Sequence, residues 1–258
     1  MIVGLENKIV VVTGAASGIG AAIAKEAADA GVAGLLLTDK DAAGLTYTAN
    51  KLPDQIVRTC VADLSDPTAP RSVEDAAIAE FGRIDGLVNA AGLTTRGGVS
   101  DGTEAVWDDL FAVNARAAFF LMQAAIQDML VRKSPGTIVN ILSINAHCGA
   151  PDLAIYAATK GALSTLTKNA AHANLAERIR VNGINLGWTN TAIEHQMQSV
   201  VLGRGKTWRN EENSRMPLGQ LLDSKDAARL AVYLLSEVSA PMTGVALDLE
   251  QRVTGSPV

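Results

Sequence analysis

Tyr156 and Lys160 stand four residues apart in the run Tyr-Ala-Ala-Thr-Lys, thirteen residues beyond Ser143. On a helix this spacing puts both side chains on one face, so a phenol oxygen and an ammonium can point into the same cleft. A free tyrosine titrates near pH ~10 and is a poor base at neutral pH, but a fixed cation beside it favours the phenolate and draws that pKa down. The chemistry expected is proton transfer to or from a substrate oxygen at Tyr156, with Lys160 lowering the tyrosine pKa and the Ser143 hydroxyl orienting the oxygen. Such a pair is common on solvated helices, so its context decides the matter.

That context begins at Lys8, where the chain reads Lys-Ile-Val-Val-Val-Thr-Gly-Ala-Ala-Ser-Gly-Ile-Gly to Gly20 and continues into an alanine-rich stretch. This is strand, glycine turn, helix. Gly14 permits the tight turn, Gly18 lets backbone approach a phosphate, and Gly20 lets the helix pack on the strand, while the helix N-terminus offers amides to a pyrophosphate. About twenty residues on, the run Leu35 to Thr38 ends in Asp39, whose carboxylate can accept both ribose hydroxyls and would repel a 2′-phosphate. The expected cofactor is therefore NAD, with NADP less favoured; the neighbouring Lys40 tempers that preference.

Elements to hold these groups alternate along the whole chain. Strand-like runs fall at Ile9 to Thr13, Gly34 to Thr38, Ile56 to Val61, Gly86 to Asn89, Thr137 to Ile141, Arg180 to Asn185 and Val245 to Asp248. Helical stretches separate them at Gly18 to Ala30, Asp41 to Lys51, Arg71 to Phe81, Glu104 to Arg132, Ala154 to Leu175 and Lys225 to Ser236. Strands apolar on both faces and interleaved with helices predict an α/β, doubly wound Rossmann fold: a seven-stranded parallel sheet flanked by helices. Ligands bind such sheets at the carboxyl ends of the strands, where every motif above falls. No repeat, low-complexity tract or linker divides the chain, so a single domain spanning 1–258 is expected.

Together these motifs resemble the short-chain dehydrogenase/reductase family, over essentially the whole chain. The segment Thr13 to Gly20 matches that family's glycine pattern throughout and brings Ser17 and Ile19 into the expected cofactor site. The resemblance implies an adenine contact at Asp63 and Leu64 and a cofactor-lining segment at Asn89-Ala90-Ala91-Gly92, where alanine replaces a second asparagine. It implies a catalytic set of Asn114, Ser143, Tyr156 and Lys160, with Asn114 positioning a water for proton relay and Lys160 holding the nicotinamide ribose. Gly187, Thr189 and Thr191 resemble the segment that lines the nicotinamide, with Leu186 in place of proline, which restores an N–H and predicts a less rigid approach to that loop. Ser143, Asn145, Tyr156 and Trp188 are the expected substrate contacts, under a lid at about 191–220. That polar segment, with Glu194, His195, Arg204 and Arg209, hints at a hydroxylated substrate such as a polyol, sugar or hydroxy acid. The resemblance thus implies interconversion of a secondary alcohol and a ketone. The alternatives are an NADPH-dependent carbonyl or β-ketoacyl reductase, an epimerase or dehydratase on the same scaffold, or a non-catalytic dinucleotide sensor.

Composition narrows the partners. A net charge of −5 without basic runs argues against nucleic acid or an anionic membrane. No apolar stretch reads as a membrane span or signal peptide, and the two cysteines, Cys60 and Cys148, read as reduced thiols, so a cytoplasmic protein is expected. No metal is called for. The stretch Ala154 to Ala173 is small or apolar on nearly every face, which predicts burial on all sides and hence a homo-oligomer; the resemblance favours a tetramer.

Overall fold

The computed structural model describes residues 3–254. Ile9 to Val12 are four β-branched residues in succession, and the strand they form, β1 (Ile9–Thr13), is buried along its whole length. Its alternation sorts the core into two layers. Val10 and Val12 face one cluster, with Ile23, Ala24, Ala27 and Leu235; Val11 faces the other, with Val73, Leu121 and Met129.

Around β1 the chain builds α1 (Gly18–Asp29), β2 (Gly34–Asp39), α2 (Ala42–Ala49), β3 (Val57–Val61), α3 (Ala69–Phe81) and β4 (Gly86–Asn89). Next come α4 (Glu104–Phe111), a π-helical turn over Ala112–Ala117, α5 (Ala118–Arg132), β5 (Gly136–Ile141), α6 (Ala154–Ala173) and β6 (Ile179–Leu186). The last part holds β7 (Thr189–Asn190), α7 (Ala192–Gln196), α8 (Trp208–Arg215), β8 (Leu222–Asp223), α9 (Ser224–Leu235) and β9 (Ala246–Leu249). Seven strands form one parallel sheet in the order β3-β2-β1-β4-β5-β6-β9, and β7 pairs with β8 in a separate two-stranded ribbon. The order reverses between β1 and β4, so a crevice opens at their carboxyl ends. Thr13 ties its two walls together: its Oγ1 accepts from the amides of Ala90 and Ala91, each at 3.0 Å.

Each predicted strand is present within one residue at either end. Two expectations are corrected. The helix foreseen from Glu104 to Arg132 is continuous, but the π turn at 112–117 breaks its register. This run is long and apolar enough to match a membrane span by composition; here Leu110, Leu121, Met122, Ala125 and Met129 are buried in the core. Helix α6 is covered on one face by its own chain; the cover expected for the other face is a second subunit. Leu163, Thr167 and Ala171 are buried, whereas Ala158, Thr165, Lys168, Asn169 and His172 are exposed. Finally, Leu186 does not loosen the nicotinamide loop. It lies in register with Leu249 of β9, 6 % exposed, and the following amide of Gly187 donates to the Leu249 carbonyl at 2.9 Å.

Candidate active site

The crevice widens into a cleft of about 840 Å³. The glycine loop forms its floor. Gly14 sits at φ +66°, and a Cβ there would lie 2.8 Å from both the backbone nitrogen and Cα of Ala91. Helix α1 starts with no side-chain cap from Ser17, so its first amides are left for a ligand; Ser17, Gly18, Ile19 and Gly20 all line the cleft. Asp39 closes β2 beside them, Oδ2 accepting from the Ala16 amide at 3.1 Å and Oδ1 from the Asp41 amide at 3.0 Å. Further along, Asp63 and Leu64 also face the cleft, and a backbone hydrogen bond from Ser65 holds the Asp63 carboxyl below its ordinary range. A loop with no room for a Cβ at Gly14, an uncapped helix N-terminus and a fixed carboxylate on the next strand suit a dinucleotide's pyrophosphate and ribose.

Ser143, Tyr156 and Lys160 meet on the same cleft. Ser143 follows β5 and is 5 % exposed; Asn145, which donates its amide to Ser143 Oγ at 3.2 Å, lies beside it on the wall. Tyr156, packed with Leu110 and Ile155, is 9 % exposed. Its phenol is pushed above the usual tyrosine value, chiefly by burial, against the lowering effect of a hydrogen bond with Ser143; Glu194 raises it further and Arg96 lowers it. This corrects the expectation that Lys160 draws the tyrosine pKa down. The ammonium is 5.8 Å from the ring centroid and donates instead to the Ile141 carbonyl at 2.7 Å, so burial wins. The same burial lowers Lys160 to about 8.

That shift has a measurable sign. Unfolded, the lysine holds its proton up to its ordinary 10.5; folded, only up to about 8. Between these values the unfolded chain binds more protons, so stability rises with pH across that window. Relative to Lys160→Met, the native protein should gain about 3 kcal/mol between pH 8 and pH 10.5, read by urea unfolding at stepped pH. A constant difference across the window would refute the buried charge.

Most residues expected from the sequence lie on this cleft: Gly14, Ser17, Gly18, Ile19, Gly20, Asp39, Asp63, Leu64, Ala90, Gly92, Ser143, Asn145, Tyr156, Lys160, Gly187, Trp188, Thr189 and Thr191. Two do not. Asn89 turns into the core, its amide donating to Asn140 Oδ1 at 2.8 Å, and it makes no wall of the cleft. Asn114, at 1 % exposure on the π turn, stands behind the wall: it accepts from the Leu93 amide at 2.8 Å and donates to the Leu93 carbonyl and Thr159 Oγ1. Its side chain is a brace that fixes the loop after β4 against α6, and a π turn is a frequent device for aiming such a group. His195 turns inside the segment 191–220, accepting at Nδ1 from Trp208 Nε1 at 2.9 Å. Residues not foreseen as cleft walls are Arg96, Asp152, Gln198 and Glu250. Arg96 lies in coil, with no period to betray it.

A family model described as enoyl-(acyl carrier protein) reductase matches residues 14–250. The chain belongs to the short-chain dehydrogenase/reductase family. Among relatives of this short-chain dehydrogenase/reductase is 2-(S)-hydroxypropyl-CoM dehydrogenase 3 of Xanthobacter autotrophicus, 32 % identical over 97 % of this chain and 98 % of the relative. A 2,5-dichloro-2,5-cyclohexadiene-1,4-diol dehydrogenase of Sphingobium indicum is 32 % identical over 95 % and 96 %. The solved 3-ketoacyl-(acyl-carrier-protein) reductase of Brucella melitensis, complexed with NADH, superposes with a TM-score of 0.85 at 28 % identity, covering 96 % of this chain and 98 % of its own. The protein is thus a short-chain oxidoreductase of dehydrogenase/reductase type, with a nicotinamide dinucleotide as its cofactor.

Proposed function

We propose that the protein is a single-domain, NAD-dependent dehydrogenase that interconverts a polar secondary alcohol and its ketone in the cytoplasm, where its two thiols stay reduced. The observation that carries this reading is the meeting of Ser143, Tyr156 and Lys160 on one cleft with the Asp39 carboxylate. When bound, the dinucleotide supplies the acceptor or donor of a hydride. The chain's own residues manage the oxygen and its proton. Ser143 hydrogen-bonds the substrate oxygen, and the Tyr156 phenol exchanges the proton with it. Lys160 keeps a positive charge near that oxygen at neutral pH, Asn114 braces the loop opposite, and the lid excludes water.

Asp39 supports NAD over NADP, because its two oxygens stay free to accept further hydrogen bonds while its charge would repel a 2′-phosphate. Asp39→Ser should lower kcat/KM for NAD by about 10- to 100-fold and raise that for NADP, measured with both cofactors in parallel. Lys40 also lines the cleft. Equal or better use of NADP by the native protein would replace the NAD reading with an NADPH-dependent reductase.

A homo-oligomer, with a tetramer favoured, is supported by a run of apolar groups along α4 and α5: Trp107, Phe119, Phe120, Leu130 and Val131 are all substantially exposed. Sedimentation equilibrium tests it, and a monomer at micromolar concentration would end the proposal.

A further inference from the structure

Thr191 caps α7, its Oγ1 accepting from the Glu194 amide at 3.1 Å, and glutamate three residues after such a cap usually turns back to the cap's own amide. Glu194 does not. Its side chain lies on the cleft wall, only 13 % exposed, with Oε1 accepting from Trp188 Nε1 at 2.9 Å and from Gln198 Nε2 at 2.8 Å. Gln198 is itself held, accepting from Arg204 at 3.0 Å, and Trp188 stacks on the fully buried Trp208. Two side chains, Trp188 and Gln198, therefore hold one oxygen of the carboxylate, while its second oxygen, Oε2, receives no hydrogen bond from the described residues. The cleft leaves that second oxygen to water or to a donor on a bound molecule.

What completes it must be a donor. Arg96 is the cation at hand, yet Nη2 stays 3.8 Å away, Nη1 is spent on the Thr94 carbonyl, and the guanidinium is shared with Asp152 at 3.2 Å. With Glu194 and Asp152 both about this one guanidinium, Arg96 is no free anchor for an anionic substrate. Glu194 and Tyr156 line the same cleft, and the charge of Glu194 reaches the phenol, so one bound molecule can meet both groups.

We propose that Glu194 is a specificity-determining residue whose Oε2 accepts a hydrogen bond from a second hydroxyl of the substrate, making the substrate a neutral vicinal diol or the matching α-hydroxyketone. This rests on the alcohol–ketone reading above and concerns recognition: no bond of the second hydroxyl is made or broken. A site built to take a hydroxyl rejects the analogue that lacks it, because its buried acceptor is then left unpaired.

The test compares 2,3-butanediol with 2-butanol, and acetoin with 2-butanone, on the purified protein with NAD or NADH, adding 3-hydroxybutyrate and 1-amino-2-propanol. The diol should exceed the monoalcohol in kcat/KM by about 10- to 100-fold. Glu194→Gln should cut that ratio by about tenfold, the diol losing more than 2-butanol when both are measured at the same pH. It should also move the alkaline limb of alcohol oxidation to lower pH, since a charge facing Tyr156 beside Arg96 and Lys160 has been removed; a merely structural role for Glu194 would not move that limb. Equal kcat/KM for diol and monoalcohol, or preference for the hydroxy acid or the amino alcohol, overturns the proposal. Calorimetric titration of the NADH complex with diol and with 2-butanol makes the same comparison without turnover. Tighter diol binding lost in Glu194→Gln, in a protein that turns over none of these compounds, would sink the proposed reaction and keep the role of Glu194; equal affinities would sink that role.

Discussion

Tyr156→Phe should reduce turnover by about 10³-fold or more and leave the melting temperature and the affinity for dinucleotide nearly unchanged. The ring stays in its pocket with Leu110 and Ile155, so packing is kept, and the hydroxyl lost is one whose burial already costs free energy. Direction matters as well. Because burial holds the phenol above its ordinary pKa, it carries its proton throughout the neutral range, so donation to a ketone oxygen should be flat there. Oxidation needs the deprotonated phenol and should rise with pH until that raised value is passed. Matched pH–rate profiles in the two directions check this. A variant that retains more than a tenth of native activity, or an oxidation rate that falls from pH 7 to 9, would remove Tyr156 from the chemistry.

Stability should respond in opposite senses to one substitution at two glycines. In a helix, alanine in place of glycine normally stabilises by about 1 kcal/mol. Gly161, on α6, conforms: a Cβ would find only the Ala146 carbonyl oxygen at 3.9 Å, and Gly161→Ala should raise stability by about 0.5–1 kcal/mol. Gly20, on α1, reverses the sign. Its Cβ would overlap the Gly14 carbonyl and lie 2.9 Å from the Thr13 carbonyl oxygen, both backbone atoms of the strand and turn beneath. Gly20→Ala should therefore cost about 3 kcal/mol, or more if the turn cannot shift, and weaken dinucleotide binding because the floor of the cleft moves. Urea unfolding of the two variants with dinucleotide titrations decides it; a Gly20→Ala protein as stable as native would mean that helix and strand are not in close contact.

What could be read from the sequence follows from which physical signals are local. The buried strands announce themselves because a parallel sheet covered on both faces demands unbroken apolar runs, and Gly14, Gly18 and Gly20 because only a few backbone geometries require glycine. Asn89 and Asn114 were legible as polar groups at strand and helix positions, but an amide serves a ligand or an internal network equally well, and only three dimensions show Asn140, Leu93 and Thr159 claiming them. The Tyr156–Lys160 spacing correctly put both groups on one cleft. It could not weigh burial against charge, because Leu110, Val106 and Phe111 reach this cluster from α4, far away in sequence. The short elements α7, α8, β7 and β8 escaped because each is too brief to display a period.

The region between β6 and α9 satisfies most of its polar groups internally. Buried Glu212 answers Arg204 and Arg215, Trp208 answers His195, and Gln198 joins Glu194 to Arg204. Few bonds leave it, chiefly those from Gln251 and Arg252 near the end of the chain. Such a segment can drift in sequence without disturbing the strands that cradle the dinucleotide, because mutations inside it are compensated inside it. Selection can then act on two nearly separate parts of one chain: a sheet that holds the cofactor, and a short self-bonded segment that can change without it.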